Sequence, residues 1–197
     1  MRIIAGSLRG RKLVDCTKFK DLRPTCDRSR EMIFNILNSA KFLKEISFKM
    51  NGATILDLCC GSGAFSFEAL SRGADFAVLI DSNPGHLDIA KKNAENLQLT
   101  KKLEFLLADL KFGLKVNDKK FDLIFFDPPY DEDYQMMIKR LIESNFISNN
   151  ALLVVEFKTI LASKISDQIC LNQGFKLLQI RKCSATTSFG FYHFDSN

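Results

Sequence analysis

The chain is as informative in what it lacks as in what it holds. It has four prolines and ten glycines in 197 residues, too few for long disordered tracts. No apolar run approaches the ~20 residues of a membrane span. The N-terminus, MRIIAGSLRG, lacks the apolar core of roughly 7–15 residues found in a secretory signal. A soluble protein of the cytoplasm is expected. Six cysteines occur, Cys16, Cys26, Cys59, Cys60, Cys170 and Cys183, but without a CxxC pair or a histidine at zinc spacing. They read as free thiols packed as small hydrophobes in a reducing compartment, with no metal site. No internal repeat or low-complexity linker is evident. One domain, able to bury roughly 70% of its unfolded surface, is expected.

Charge is present but unevenly placed. Residues 1–31 hold nine cations against four acids, whereas the remaining 166 residues balance. The excess lies in Arg2, Arg9, Arg11, Lys12, Lys18, Lys20, Arg23, Arg28 and Arg30. Such asymmetry suits an arm that meets a polyanion, since Lys and Arg release counterions on contacting phosphates. The alternative is a solvated basic surface. Residues 1–50 therefore read as a basic arm and helix belonging to the same domain as a catalytic part, 51–197.

From residue 52 short apolar runs alternate with helix-period segments. Strands are expected at 53–58, 76–81, 103–109, 121–127, 151–157, 175–182 and 187–194. Helices are expected at 64–73, 84–97, 133–144 and 161–173. The strand runs do not alternate cleanly, which implies burial on both faces and a parallel sheet between helix layers: an α/β, Rossmann-like, doubly wound fold. Residues 24–38 predict a further helix, capped by Thr25 or Asp27; Arg28 and Arg30 in its first turns oppose the helix dipole, which hints at an anion nearby, the alternative being solvated arginines.

Two stretches carry chemistry. DLCCGSGAFSFEAL (57–70) joins the first strand to its helix, with Gly61 and Gly63 at the turn. Asp81 ends the next strand, 18 residues after Gly63, at the spacing of an acid that accepts from ribose hydroxyls. Asp57 in front of the loop suits a cofactor with a cationic amine, and Asp109 ends the third strand, where it could accept from an adenine amino group. The third position after Gly63 is Ser66, which breaks the G-x-G-x-x-G/A cradle of a pyrophosphate. S-adenosylmethionine is favoured over a nicotinamide dinucleotide. In FDLIFFDPPYDEDY (121–134), Pro128 and Pro129 have no backbone N–H, so the strand ends in acceptors only: carbonyls and Asp127. Such a site suits a substrate that is a donor, such as the amino group of a nucleobase, with Tyr130 as a stacking face.

DPPY after the fourth strand is similar to the [DN]PPY motif of amino-group methyltransferases. The whole chain resembles the RsmD family, through RIIAGSLRGRKL (2–13), LRPTCDRSREMIFNIL (22–37), LDLCCGSGAFSFEALSRGA (56–74), FDLIFFDPPY (121–130) and VVEF (154–157). The resemblance implies a class I S-adenosylmethionine-dependent methyltransferase with a seven-stranded sheet whose last strand is antiparallel. It implies methylation of the exocyclic N2 of a guanine in 16S ribosomal RNA, on an assembling 30S particle, by a monomer. Asp57, Gly61 and Gly63 would meet the methionine part of the cofactor, Asp81 the ribose and Asp109 the adenine. Thr25 and Arg28 would help close the cofactor site. Asp127, Pro128, Pro129 and Tyr130 would hold the guanine. Arg2, Arg9, Arg11, Lys12 and Arg23 would meet RNA. Cys59-Cys60 replaces the family's usual Phe-Ala, and Asp81 a common Glu. Rival readings are a DNA adenine or cytosine amino methyltransferase, a protein glutamine methyltransferase, a nicotinamide oxidoreductase and a ribosome-binding protein without catalysis.

Overall fold

The computed structural model describes residues 1–14, 25–114, 119–171 and 174–195. Arg23, Lys18, Lys20 and Cys16 lie outside the described residues. Seven strands form one sheet: β1 Thr54–Leu58, β2 Phe76–Asp81, β3 Leu103–Leu107, β4 Phe121–Phe126, β5 Ile147–Lys158, β6 Phe175–Lys182 and β7 Thr187–Phe194. Their order is β3-β2-β1-β4-β5-β7-β6. All neighbours pair in parallel except at β7, which runs antiparallel to both β5 and β6. The strand order reverses between β1 and β4, which places a crevice above the carboxyl ends of these two strands.

The non-alternating apolar runs are explained by two cores. On one face Ile55, Leu79, Leu123, Phe125 and Val154 pack against the helices α1 (Asp27–Ser39), α3 (Ala64–Ser71) and α4 (Pro84–Leu97). On the other, Leu56, Leu58, Ile80, Ile124, Phe126 and Val155 meet α5 (Tyr134–Glu143) and α6 (Ala162–Cys170). Successive residues of one strand thus enter opposite cores, as the pleat requires. Phe65 of α3 stacks on Phe125 of β4 with centroids 4.0 Å apart and planes 6° apart. Such a pair contributes about 0.5–1.5 kcal/mol beyond area burial, and it locks α3 above the strand that ends in DPPY.

The start of α1 differs from expectation. Neither Thr25 nor Asp27 caps it: the cap position is Cys26, without a side-chain cap bond, and Asp27 lies in the first turn. Arg30 is fully buried, and the anion beside it is a residue of the same helix, Asp27. Arg30 donates to Asp27 Oδ1 at 2.6 Å and to the Arg2 carbonyl at 2.8 Å. A charge removed from water needs such partners, and composition gave no sign of them. A short helix, α2 (Phe42–Glu45), is also additional. Expected boundaries hold elsewhere to within a few residues, and at 84–97, 76–81, 175–182 and 187–194 without change. The β6–β7 turn, which lacks a glycine, is closed by Ser184: its Oγ accepts from the N–H groups of Thr186 and Thr187.

Residues 1–14 fold back as a hairpin with Arg2 opposite Lys12, and bury Ile3 and Leu13. Glu68 of α3, itself fully buried, accepts from Ile4 N at 2.7 Å and Ala5 N at 3.0 Å, and pairs with Arg72 at 2.7 Å. Asn93 of α4 accepts from Val14 N at 2.7 Å and donates to the Ser62 carbonyl at 3.0 Å. The end of the arm and the glycine loop thereby share one side chain.

Candidate active site

The carboxyl ends of β1 to β4 converge on a cleft of about 100 Å³, whose walls include Leu58, Cys59, Ile80, Asp81, Asp109 and Pro129. A site for a small molecule is typically ~300–1,000 Å³, so a nucleoside cofactor requires the cleft to widen. Lys111, after β3, and Glu132, after β4, join two of its walls through an ion pair of 2.8 Å. A wider groove of about 630 Å³ lies at the opposite sheet edge, beside Asn51, Asp75 and Lys102. It is at the wrong end of the strands, since open α/β sheets bind ligands beyond the carboxyl ends.

Each strand end contributes acceptors. Asp81 closes β2; its Oδ2 accepts from Gly61 N at 2.8 Å and its Oδ1 from Asn83 N at 2.9 Å. The carboxylate therefore stitches the glycine loop to the neighbouring strand. Asp109 follows β3, is half-buried, and accepts from Lys111 N at 2.9 Å. Asp57 faces inward: it is 1% exposed and accepts from Ser66 Oγ at 2.7 Å, holding the start of α3. Burial pushes its carboxyl up to about 7, with the Asp81 charge adding and the Ser66 bonds opposing. Gly63 takes φ +75°, and a Cβ there would meet Leu79 at 2.7 Å and Phe67 at 2.8 Å. Its glycine is required by packing of the loop on β2 and α3. Cys59, without that freedom, also adopts a left-handed backbone at φ 60°, a strain of ~1–2 kcal/mol beside the cleft.

These groups fit a nucleoside with a cationic tail. Acceptors stand at successive strand ends, and apolar walls come from Leu58, Ile80 and Met137. Among the described residues no group of three His, Cys, Asp or Glu is placed to hold a metal ion.

Beside the cleft, Asp127 follows β4. Its N–H donates to the Leu58 carbonyl at 3.4 Å, and its Oδ2 accepts from Thr25 Oγ1 at 3.4 Å. Burial raises its carboxyl well above the usual range, and the charges of Glu156 and Asp57 raise it further. Tyr130 donates through its hydroxyl to Glu156 Oε1 at 2.9 Å and lies 3.4 Å from Thr187 Oγ1. Burial, above all, lifts its hydroxyl to about 12. Lys158 Nζ lies 5.3 Å from the centre of the Tyr130 ring. Glu156, which sequence reasoning did not single out, is half-buried, and burial raises its carboxyl while the Tyr130 hydroxyl pulls it back. Its signal was present: one acid inside the otherwise apolar ALLVVEF.

Residues 1–182 match the family model described as Conserved hypothetical protein 95. The Ribosomal RNA small subunit methyltransferase D of Haemophilus influenzae is 35% identical, over 79% of this chain and 78% of its own. The chain belongs to this family, the RsmD family of the sequence resemblance. Solved structures of HI0767 from Haemophilus influenzae and yhhF from Escherichia coli superpose with TM-scores of 0.74 and 0.76. Their identities are 27% and 24%, and each alignment covers 100% of this chain and 99% of the other. The described residues thus share the fold of these two solved structures.

The residues this RsmD-family chain was expected to use are not all gathered at one place. Asp81, Asp109 and Pro129 line the cleft; Asp57 is buried and does not line it, and Thr25 lies against Asp127. Arg2, Arg9, Arg11, Lys12 and Arg28 are exposed. Arg2 lies 4.0 Å from Asp27, and Arg11 donates to the Asn96 carbonyl. Arg9 is in the hairpin turn, whose neighbours Ser7 and Leu8 bond to Ser71 at the far end of α3 from DPPY.

Proposed function

We propose that the protein transfers a methyl group from S-adenosylmethionine to the exocyclic N2 of a guanine in 16S ribosomal RNA, on an assembling 30S particle. The observation that carries the reading is the acceptor-only end of β4 beside the cleft: Asp127 and two prolines without an N–H, next to the half-buried Glu156. An exocyclic amino nitrogen is a poor nucleophile because its lone pair is delocalised into the ring. Hydrogen bonds from the amino group to Asp127 and the Pro128 carbonyl draw charge back onto nitrogen and fix its direction. The cofactor supplies a sulfonium-bound methyl. When bound it would let an N–C bond form as the S–C bond breaks, and the Asp127 carboxylate would take the one proton that the nitrogen sheds. Asp81 and Asp109 hold the nucleoside part, and Asp57 faces the ammonium from behind the glycine loop.

The test is incubation of 30S particles, naked 16S RNA and duplex DNA with methyl-labelled S-adenosylmethionine, followed by digestion to nucleosides. Label in N2-methylguanosine from the particle is expected. Label in methyladenine or methylcytosine would reassign the substrate, and label in protein would remove RNA from the reading.

The basic arm supplies sequence-independent affinity for RNA in this reading. Deleting it would also strip Ile3 and Leu13 from the core, so charge neutralisation is the cleaner probe. Replacing Arg9, Arg11 and Lys12 with Gln should make the negative slope of log K against log salt shallower by about 2–3, at roughly 0.7–0.9 for each phosphate no longer neutralised. An unchanged slope would place the RNA elsewhere.

A further inference from the structure

The acceptors of DPPY do not by themselves distinguish bases, because adenine, cytosine and guanine all carry an exocyclic amino group. What differs is the ring nitrogen next to that group. In guanine N1 carries a hydrogen and donates, whereas the corresponding nitrogen of adenine or cytosine has a lone pair and accepts. A second fixed acceptor beside Asp127 would favour guanine and repel the others.

Glu156 stands at that place. Phe126 and Val155 are register partners in the parallel β4–β5 pair, so Asp127 and Glu156 are the next residues on adjacent strands, roughly 5 Å apart at the backbone. Their side chains leave the sheet on the same side, that of Phe125 and Val154. The Tyr130 hydroxyl engages one oxygen of Glu156 at 2.9 Å and sets the orientation of the carboxylate. Tyr134 donates to the Glu156 carbonyl at 3.2 Å and fixes the backbone beneath it. A glutamate in the middle of ALLVVEF contributes nothing to the core that an apolar residue would not. Its partial burial beside another acid opposes folding, a cost that a role at the site accounts for.

We propose that Glu156 selects guanine: its carboxylate accepts from the base's N1–H while Asp127 and the Pro128 carbonyl hold the N2 amino group. Tyr130 is a positioning residue for Glu156 as well as a ring beside the base. The proposal rests on the guanine-N2 reading above and assigns the residue that makes that choice.

The experiment uses 30S particles reconstituted with a two-piece 16S RNA whose short piece carries either guanine or 2-aminopurine at the mapped target position. 2-Aminopurine keeps the reactive amino group but has no N1–H. The wild-type enzyme should prefer guanine by on the order of 100-fold in kcat/KM, the scale of one hydrogen bond to a buried charged group. Glu156→Gln should reduce that preference to a few-fold, since an amide can turn to donate to the bare N1. Tyr130→Phe should lower it part-way. If Glu156 only braces Tyr130, its replacement slows both bases equally and leaves the ratio intact, which overturns the proposal. A wild-type enzyme that does not discriminate overturns it too, while leaving the guanine reading standing. A wild-type enzyme that labels no guanine in the particle removes that reading, and the proposal with it. Thermal melting and cofactor binding of each variant establish that the chain is folded, and the wild-type ratio is independent of any variant.

Discussion

Asp127→Ala should lose methyl transfer by on the order of 1,000-fold while binding S-adenosylmethionine within about twofold of the parent. The two halves of this expectation rest on different observations. Asp127 lies beside the cleft and is assigned to the guanine amino group, whereas the cofactor is assigned to Asp57, Asp81 and Asp109. Loss of Asp127 removes the one side-chain acceptor at the end of β4. The same substitution should leave the melting temperature unchanged or raise it, because the carboxyl is buried against the charges of Glu156 and Asp57. A variant that is inactive and less stable would instead make Asp127 a structural brace. Asp127→Asn separates charge from acceptance. The amide oxygen still accepts, so part of the activity should survive, but the pH profile should change. In the parent an acid raised well above its usual range must be ionised to draw charge onto the amino nitrogen and take its proton, so kcat/KM should fall as pH falls through that raised value. The asparagine variant has no such proton and should lose that limb. Calorimetric binding of the cofactor, run with single-turnover rates across pH, checks each part.

Most of the sheet was legible because short, uninterrupted apolar runs alternate with helix-period segments. Runs such as FAVLID and FDLIFF cannot be helices at six residues, and Pro84 marks the first turn of α4. Asp81, Asp109 and Asp127 could be placed because each ends an apolar run, where the next residue must leave the sheet. Glu156 was missed for the complementary reason. It lies inside β5, two residues before that strand ends, and only its neighbour across the ladder shows that it belongs with Asp127. Arg30 and Glu68 were illegible in another way. Each reads as an ordinary helix-surface charge, and only the returning N-terminal hairpin buries both. Long-range enclosure of a charge leaves no local pattern. The residue types at the start of α1 were equally uninformative: Thr25 and Asp27 are good caps by propensity, but Thr25 is turned to Asp127 and Asp27 to Arg30.

Glu68→Ala is expected to be the most destabilising single change away from the reaction site. The carboxylate is fully buried and serves three donors from two segments distant in sequence: Ile4 N, Ala5 N and Arg72 Nε. Its removal leaves two backbone N–H groups and a largely buried guanidinium without their acceptor, which costs about 3–5 kcal/mol. Against a total of ~5–15 kcal/mol for a domain, that is a large share. A fall of about 10 °C in melting temperature is the corresponding scale for a chain of this size. Glu68→Gln keeps an acceptor for some of the donors but turns an NH2 towards the others, so it should fall between the two. Hydrogen exchange localises the effect: the amides of Ile4 and Ala5 should lose protection first, before those of β1 and β4. The consequence should then reach the cleft. Residues 1–14 are anchored at one end by Glu68 and at the other by Asn93, which also holds the Ser62 carbonyl of the glycine loop. Loosening the hairpin weakens the side chain shared with that loop, so cofactor affinity should fall several-fold in Glu68→Ala. Exchange that stays slow at Ile4 and Ala5, with cofactor affinity unchanged, would show that the hairpin is held by Ile3 and Leu13 alone.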